Sequence, residues 1–189
     1  MIDRIEETLR RMSTDPSLLV REAAADALDR IRVRRQAGVI LEKLKSGTVE
    51  ERVRIVYAAP EIGGAEGLSI LVAALSDPNE EVRGAAVRTL EGYPVPQVLQ
   101  AMVAMLPREK GVVLGNLLDA LGKSRRKELG PVIERYLEHP DGDIRGRALV
   151  AFARVSGAAG WERILGQAGS ADQAVRAAVA RSLGEGRRG

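Results

Sequence analysis

The residue types that carry enzymatic and metal chemistry are sparse in this chain. Its 189 residues include no cysteine, and His139, in the turn sequence HPDG, is the only histidine. Thiolate metal sites, paired-histidine metal sites and a cysteine nucleophile are therefore excluded, because each needs a cysteine or a second histidine. No serine, histidine and aspartate are suggestively spaced for a catalytic triad. The sequence predicts a protein that is not an enzyme and that uses no cofactor.

One segment partly imitates a phosphate-binding loop. The stretch LLDALGKS at 117–124 ends in the required Gly-Lys-Ser, but Leu117 stands where the first glycine of that motif belongs. The segment also ends a predicted helix, whereas a phosphate-binding loop joins a strand to a helix. We therefore interpret Gly122 as a helix C-cap and expect no nucleotide site.

Charge raises nucleic acid as a partner, since the net charge is +3 and the isoelectric point about 9.5. Two clusters supply much of the basic character: Arg30, Arg32, Arg34 and Arg35, then Lys123, Arg125, Arg126 and Lys127. They fall in the first and fourth of five predicted connections between repeats, so they do not form a continuous stripe. Phosphate tracking needs such a stripe, and base stacking needs exposed aromatic rings, which are scarce here. Both points disfavour a nucleic-acid partner.

The strongest pattern is an internal repeat that must position any functional side chain. An apolar residue followed by arginine and then by small residues recurs, and Val113 begins the same pattern without its arginine. The leading residues are Val20, Val53, Val82, Val113, Ile144 and Val175, at spacings of 33, 29, 31, 31 and 31. A second series keeps the 31-residue step through Leu44, Leu75, Leu106 and Leu137. Two series with one period indicate a repeat protein.

Each period has the apolar spacing of two helices, with Pro, Gly and Asp at the turns. We predict six helical hairpins at about 1–30, 36–62, 65–91, 95–122, 126–154 and 158–184. They form one domain over 1–184, with 185–189 as a flexible tail. Pro60 is expected to kink or shorten its helix. The start, MIDRIEETLRRM, resembles no signal peptide, and no apolar run could span a bilayer. We therefore expect a soluble cytoplasmic protein with no membrane partner.

The motif resembles the HEAT-like repeat first described in phycobilisome lyases, within the HEAT and armadillo superfamily. The resemblance covers nearly the whole chain and implies an all-α, right-handed α-solenoid that acts as a scaffold or adaptor for another protein. The alternative that it implies is a lyase-like or chaperone-like subunit. Phycobilisome lyases handle a bilin with a partner subunit and a cysteine of the client protein. This chain, with no cysteine, could contribute to such chemistry only within a complex.

The same resemblance implies a structural role for the repeated arginines. In such repeats, an arginine at the start of the second helix pairs with an acidic residue or a carbonyl in the turns and ties neighbouring repeats together. The residues in this position are Arg21, Arg54, Arg83, Arg145 and Arg176. Candidate partners are Asp15, Asp77, Asp143 and Asp172 in the turns that precede four of them. Leu114 replaces the arginine in the fourth repeat.

The second helices are expected to line the partner-binding face. Residues two, three and six places after each leading apolar residue are predicted to point away from the core, and glycine or alanine occupies many of these positions. The candidate contact residues are Gly84, Arg88, Gly115, Asn116, Asp119, Gly146, Arg147, Val150 and Arg181. Small residues here would make a smooth floor for a helix or an extended peptide. The alternative, left open, is that the glycines let adjacent second helices approach closely.

The last helix is apolar on more than one face. Between Ala171 and Leu183, its polar residues are few: Asp172, Gln173, Arg176, Arg181 and Ser182. Terminal repeats normally carry a polar outer face. We therefore predict weak self-association, or docking of a partner, through the C-terminal repeat, against the alternative that small alanines are exposed at little cost.

Overall fold

The computed structural model describes the backbone of residues 2–185 and, within them, every side chain except those of Ile2 and Ala158. These residues form eleven α-helices and two short 3-10 segments, with no strand, which confirms the predicted all-α class. None of the described helices combines the length and the apolarity needed to cross a bilayer. Residues 186–189 of the predicted flexible tail lie outside the described residues. Glu185, also assigned to that tail, instead ends the last helix, so the prediction is wrong for this residue.

The chain divides into two compact units, residues 1–70 and 71–189. The first unit contains helices α1 (Ile2–Met12), α2 (Leu18–Ser46) and α3 (Val49–Ile62), and the start of α4 (Gly64–Ala74). Helix α2 contacts both α1 and α3. The core of this unit is small, and its buried side chains are Ala24, Ala37, Leu44, Val56, Ala59 and Ile70.

Helix α2 corrects one predicted boundary. A connection was expected near 31–35, but a single helix of 29 residues runs from Leu18 to Ser46. The segment IRVRR contains no proline, and no glycine follows it closely enough to cap a helix end. Gly38 lies inside the helix, where glycine costs about 1 kcal/mol relative to alanine but does not end it. The first helix of the predicted second hairpin, which was expected to begin at 36, is therefore the C-terminal part of α2.

Pro60 lies in the last turn of α3, which continues to Ile62 and ends at Gly63. Because the proline is two residues from the end, it removes only one of the last hydrogen bonds of the helix. The next helix, α4, begins at once at Gly64.

The second unit consists of two sets of helices. Four long helices stack in chain order, α5 on α7, α7 on α9 and α9 on α11, and we call these the B helices. They are α5 (Glu80–Leu90), α7 (Gly111–Lys123), α9 (Gly142–Ser156) and α11 (Gln173–Glu185). The intervening A helices are α6 (Pro96–Met105), α8 (Gly130–Glu134) and α10 (Trp161–Leu165). Helices α8 and α10 each have five residues and follow 3-10 segments, so they are shorter than the pattern predicts.

Aliphatic side chains between the A and B helices form the core of the second unit. The positions with the 31-residue step, Leu75, Leu106 and Leu137, are all buried. The largest side chains with almost no exposure are Leu90, Met102, Met105, Leu114, Leu117, Leu118, Leu121, Ile133, Leu149 and Ile164. With so few aromatic residues, this core depends on close packing of aliphatic side chains, which positions the B helices firmly.

Candidate functional site

The turns before the second helices share one hydrogen-bonding arrangement. A side chain at the start of the turn accepts a hydrogen bond from the backbone N–H two residues later. The pairs are Asp15 with Ser17 at 2.9 Å, Asp77 with Asn79 at 2.8 Å, His139 with Asp141 at 3.1 Å and Ser170 with Asp172 at 3.2 Å. Such side-chain-to-backbone bonds are typical of Asp and Ser in turns. The acceptors therefore fix the chain just before each helix begins.

His139 is thus a turn residue in the position that Asp15 and Asp77 hold elsewhere. Its Nδ1 accepts the N–H of Asp141, and its ring stacks on Tyr136 with centroids 6.4 Å apart. Asp141 then caps α9 by accepting hydrogen bonds from the N–H groups of Asp143 and Ile144. The histidine therefore has a structural part that explains its presence.

Replacing His139 with aspartate is expected to leave the free energy of unfolding within about 0.5 kcal/mol of wild type, because aspartate makes the same bond. Urea unfolding followed by circular dichroism measures the change. His139→Leu, which removes the acceptor, is the comparison and should cost about 1 kcal/mol. Equal loss in both variants would show that the ring itself, and not the acceptor, holds the turn.

The repeated arginine holds the same turns. Its Nη1 donates hydrogen bonds to the carbonyl oxygens five and six residues earlier. Arg21 binds Asp15 and Pro16, Arg83 binds Asp77 and Pro78, Arg145 binds His139 and Pro140, and Arg176 binds Ser170 and Ala171, all at 2.7–3.0 Å. Hydrogen bonds from a cationic donor to two turn carbonyls are charge-assisted and therefore hold the turn firmly before the helix. We call this contact the arginine clasp.

In the second repeat, the predicted arginine is the wrong one. Arg52, not Arg54, donates to the carbonyl oxygen of Gly47 at 2.7 Å, whereas Arg54 is exposed. Val56 and Ala59 are the buried residues that follow, so the helix register is shifted by two residues from the one built on Val53. The clasp arginines then stand at 21, 52, 83, 145 and 176, with steps of 31, 31, 62 and 31 residues.

The carboxylates paired with clasp arginines lie in the next repeat, not in the preceding turn. Arg83 makes two hydrogen bonds to Glu109, at 2.7 and 2.9 Å, and Arg145 makes one to Asp172 at 2.6 Å. The hydrogen bonds that Arg83 donates to the Glu109 carboxylate raise the pKa of Arg83. Arg21 and Arg83 bind the backbone carbonyls of Asp15 and Asp77, which is the carbonyl form of the predicted contact, whereas the carboxylate bound to Arg145 is that of Asp172 and not that of Asp143. The predicted tie between neighbouring repeats is present at Arg83 and Arg145.

The fourth repeat has a different arrangement. Leu114, in the clasp position, is buried in the core. Arg108 stands where the other turns have an acceptor side chain, and its Nη2 donates to the carbonyl oxygen of Leu75 at 3.2 Å. Arg108 therefore links the fourth repeat to the third, because its side chain donates a hydrogen bond to a carbonyl of the preceding repeat.

Arg83 and Arg176 lie in different environments, so we expect their replacement to lower the free energy of unfolding by different amounts. Arg83→Ala should lower the free energy of unfolding by about 3 kcal/mol, because it leaves the buried Glu109 carboxylate with only the 3.8 Å contact to Arg108. Arg176→Ala removes only bonds to exposed carbonyls and should cost about 1 kcal/mol. Urea unfolding of both variants provides the comparison. An equal loss would mean that Glu109 contributes nothing to the tie.

The three predicted floor glycines are buried, so they form no exposed floor. A Cβ at Gly84 would lie 3.6 Å from Val113 of α7, and one at Gly146 would lie 3.1 Å from the Ala174 carbonyl of α11. At Gly115 a Cβ would lie 2.8 Å from Cδ of Arg147. These contacts support the alternative that glycine lets consecutive B helices approach closely. Ala85, three residues after Val82, is also buried rather than facing solvent.

The other predicted contact residues have mixed positions. Asp119 and Arg147 are partly exposed and form an ion pair between α7 and α9. Val150 is only 9% exposed, and Asn116 is half-buried, with an amide nitrogen that has no hydrogen-bond partner among the described residues. Arg88 and Arg181 are exposed. The structure thus brings Asp119, Arg147, Val150 and Arg181 to one surface of α7, α9 and α11.

Sequence reasoning did not single out two further ion pairs as contacts between B helices. Lys123 donates to Glu91 at 2.5 Å, and Arg154 binds both carboxylate oxygens of Glu185 at 2.8 Å. Lys123, Arg154 and Glu185 follow one another at 31-residue steps, so a comparison of equivalent repeat positions could have found them. They extend the surface along the C-terminal ends of α7, α9 and α11.

These residues line a shallow depression on the B helices. One part, about 440 Å³, is lined by ten residues that include Asp119, Lys123, Arg147, Arg154 and Arg181. A second part, about 390 Å³, is lined by Lys123, Arg125, Arg154 and Glu185. The two parts share three residues and therefore form one surface, which we call the α7–α11 depression.

The ion pair at the centre of this depression determines its electrostatics. The hydrogen bonds that Arg154 donates lower the pKa of Glu185. The nearby positive charges of Arg125 and Arg181 lower it further. The same hydrogen bonds raise the pKa of Arg154. A carboxylate is thus stabilised in its charged form at this place, as a carboxylate from another molecule would be.

Among residues 2–185, no three acidic or histidine side chains are grouped so that they could hold a metal ion. The α7–α11 depression presents charged side chains, most of them in ion pairs, and two small apolar side chains, Val150 and Ala174. The predicted C-cap Gly122 instead lies inside α7 and is buried, and Ser124 is the C-cap, so the Gly-Lys-Ser stretch ends a helix rather than forming a phosphate-binding loop.

The two basic clusters remain separate features. In the first unit, Arg32 pairs with Asp29, Arg34 with Glu66 and Arg35 with Glu6. Acidic side chains therefore pair with three of the four arginines in the first cluster. The second cluster follows α7, and only Lys123 and Arg125 of its members line the depression.

Comparisons with known proteins support the fold. A family model of HEAT repeats matches residues 37–122. Among solved structures, the complex of CpcE and CpcF of phycocyanin lyase from Nostoc sp. PCC7120 is similar with a TM-score of 0.55 and 20% identity, over 96% of this chain and 76% of that one. An engineered protein is similar with a TM-score of 0.50 and 19% identity, over 97% and 96%. No curated protein matches the sequence. The HEAT-repeat match over residues 37–122 and the two similar folds support the interpretation of the chain as a HEAT-like repeat protein.

Proposed function

We propose that the chain is a non-catalytic scaffold or adaptor that binds another protein on the B-helix surface of its second unit, in the cytoplasm. The observation that carries the proposal is the α7–α11 depression, which runs over three consecutive B helices. Repeat proteins use such extended surfaces to hold partner proteins. Mixed charges around a small apolar centre suit a protein surface, because they set the orientation of the partner.

The proposed contact residues are the members of the predicted set that line this surface with a side chain. Asp119, Arg147 and Arg181 supply charge, and Val150 contributes a small apolar contact. Gly115 and Gly146 act indirectly, because their lack of a side chain brings α7, α9 and α11 close enough to present these groups together. Gly84 and Arg88 line another depression between α5 and α7, and Asn116 lies beside Gly84.

The test is affinity capture from a lysate of the source cells, followed by mass spectrometry. The bait variant Arg147→Glu reverses a charge on the depression, and Arg135→Glu makes the same change at an exposed position after α8. We expect a protein that wild type and Arg135→Glu retain and that Arg147→Glu loses at least about tenfold. Capture of the same proteins in equal amounts by all three baits would contradict the proposal.

A lyase-like or chaperone-like subunit is the second candidate, and the similarity to the phycocyanin lyase complex favours it. At 20% identity that similarity concerns the fold alone. Titration with a free bilin separates the two hypotheses. The scaffold hypothesis predicts an unchanged absorption spectrum, whereas a shifted and saturating band would favour the lyase-like role.

Self-association through the last helix is a separate proposal. Val175, Ala178 and Val179 of α11 are buried, so the Val179 side chain belongs to the core and not to the outer face. The apolar residues left outside are Ala177, Ala180 and Leu183, and Leu183 is 39% exposed. Light scattering over a concentration series tests this stripe. A mass that rises with concentration in wild type but not in Leu183→Lys supports self-association, and a constant monomer mass contradicts it.

A further inference from the structure

We propose that the partner segment bound in the α7–α11 depression is acidic and that its carboxylates occupy the arginine group formed by Arg125, Arg154 and Arg181. The inference rests on the proposed function and specifies the chemistry of the partner. Carboxylate and guanidinium groups match geometrically, so an arginine group of this kind selects side chains of Asp and Glu.

Glu185 shows how a carboxylate fits this group. Arg154, whose side chain is 22% exposed, donates from Nε and Nη2 to the two oxygens of Glu185, each at 2.8 Å. This is the bidentate geometry that makes arginine–carboxylate pairs strong and directional. Glu185 is the more exposed member, at 48%, so solvent and other molecules can reach its carboxylate. A second carboxylate can therefore compete for Arg154 without a change in the fold.

Charge in the group is not balanced. Arg125 and Arg181 form no ion pair within the described residues, although both contribute to the potential at Glu185. By contrast, Lys123 pairs with Glu91, and Arg147 pairs with Asp119. Three arginines thus surround the Glu185 carboxylate. With Arg125 and Arg181 set against Asp143, which also lines the depression, one positive charge remains for a partner to neutralise. A carboxylate from a partner meets this need.

The surroundings favour carboxylates over nucleic-acid phosphates. Asp119, Asp143 and Glu185 also line the depression, and no aromatic side chain lines it. Nucleic-acid binding needs continuous positive charge and, for single strands, stacking platforms. An acidic peptide can place its few carboxylates on the arginines and its small side chains on Val150.

The experiment measures fluorescence anisotropy of a short labelled peptide of alternating glutamate and alanine, titrated with the full chain. The same peptide with glutamine in place of glutamate, and a thymidine oligonucleotide of equal charge, are the reference probes. Variants are the double charge reversal Arg125→Glu/Arg181→Glu, the single change Glu185→Gln, and Arg135→Glu as the matched control. Circular dichroism verifies that each variant is folded.

We expect the acidic peptide to bind and its affinity to fall about tenfold or more in the double variant, while Arg135→Glu changes it less than about twofold. Glu185→Gln should raise the affinity about threefold, because it removes the competing carboxylate. A purely structural role for the Arg154–Glu185 pair would not produce that gain. Absence of binding, equal loss in Arg135→Glu, or tighter binding of the oligonucleotide would each overturn the inference.

The two proposals fail in different ways. If the acidic peptide does not bind but Arg147→Glu still loses a captured partner, the scaffold function holds and only the acidic character of the partner is refuted. If the capture experiment also finds no dependence on Arg147, the scaffold function itself fails.

Discussion

Replacing Leu90 with aspartate is expected to lower the free energy of unfolding by at least about 4 kcal/mol. Leu90 ends α5 and is 1% exposed. The change removes a full leucine side chain from the core and places a carboxylate there with no cation to pair with it. Since small domains have only about 5–15 kcal/mol of stability, much of the second unit should unfold without denaturant. Circular dichroism and urea unfolding measure the loss.

The matched control is Val112→Asp, which also replaces an aliphatic residue with aspartate. Val112 is 72% exposed and lies in the first turn of α7, whose N-cap residue makes no side-chain cap bond. An aspartate there interacts favourably with the helix dipole, so stability should be unchanged or rise by about 0.5 kcal/mol. Ala85→Ser is no suitable control, because Ala85 is buried. A similar loss in Leu90→Asp and Val112→Asp would refute the assigned helix register.

The second large effect is expected at Gly122, where α7 crosses α9. A Cβ at this position would lie 2.6 Å from Cα and 2.7 Å from Cβ of Ala151. Backbone atoms cannot move aside as a side chain can, so the two helices must separate. Gly122→Ala should therefore cost about 2–3 kcal/mol, even though alanine favours helix more than glycine does. Urea unfolding of the single variant measures this cost.

Gly115 provides the comparison in the same helix. The three atoms nearest to a Cβ there all belong to the side chain of Arg147, which is long and partly exposed. The arginine can shift, so Gly115→Ala should change the free energy of unfolding by less than about 1 kcal/mol. Equal destabilisation by the two alanines would mean that close helix approach is not what Gly122 provides.

The repeat pattern predicted the fold because it depends on local spacing. Leu44, Leu75, Leu106 and Leu137 keep one step and are all buried. The second repeat was misaligned because Val53–Arg54 imitates the motif two residues late, while the true clasp residue, Arg52, follows a glutamate. The Val–Arg pair was misleading there, whereas the constant step of 31 residues places the arginine correctly at Arg52.

The candidate surface was predicted only in part. Charged residues such as Asp119 and Arg147 were assigned to it because helical periodicity places them away from the core. The glycines were assigned to the same face, but the distance between neighbouring B helices cannot be deduced from periodicity within one helix. The same limit concealed the Lys123–Glu91 and Arg154–Glu185 pairs, which join residues about one repeat apart.

The helix boundary wrongly expected within α2 and the unidentified carboxylate partner of Arg83 have related explanations. A helix boundary depends on a stop signal, and the absence of one near 31–35 outweighed the repeat pattern. Glu109 could not be identified as the partner of Arg83, because the sequence does not show which turn of the next repeat lies beside it.

The most direct test of the scaffold hypothesis is hydrogen–deuterium exchange of the chain with and without the partner found by affinity capture. If the B-helix surface of the second unit carries binding, exchange should slow in α7, α9 and α11, and most of all around Asp119, Arg147 and Arg154. Exchange in the A helices α6, α8 and α10 should be little changed. Protection confined to the A helices or to residues 2–70 would contradict the account.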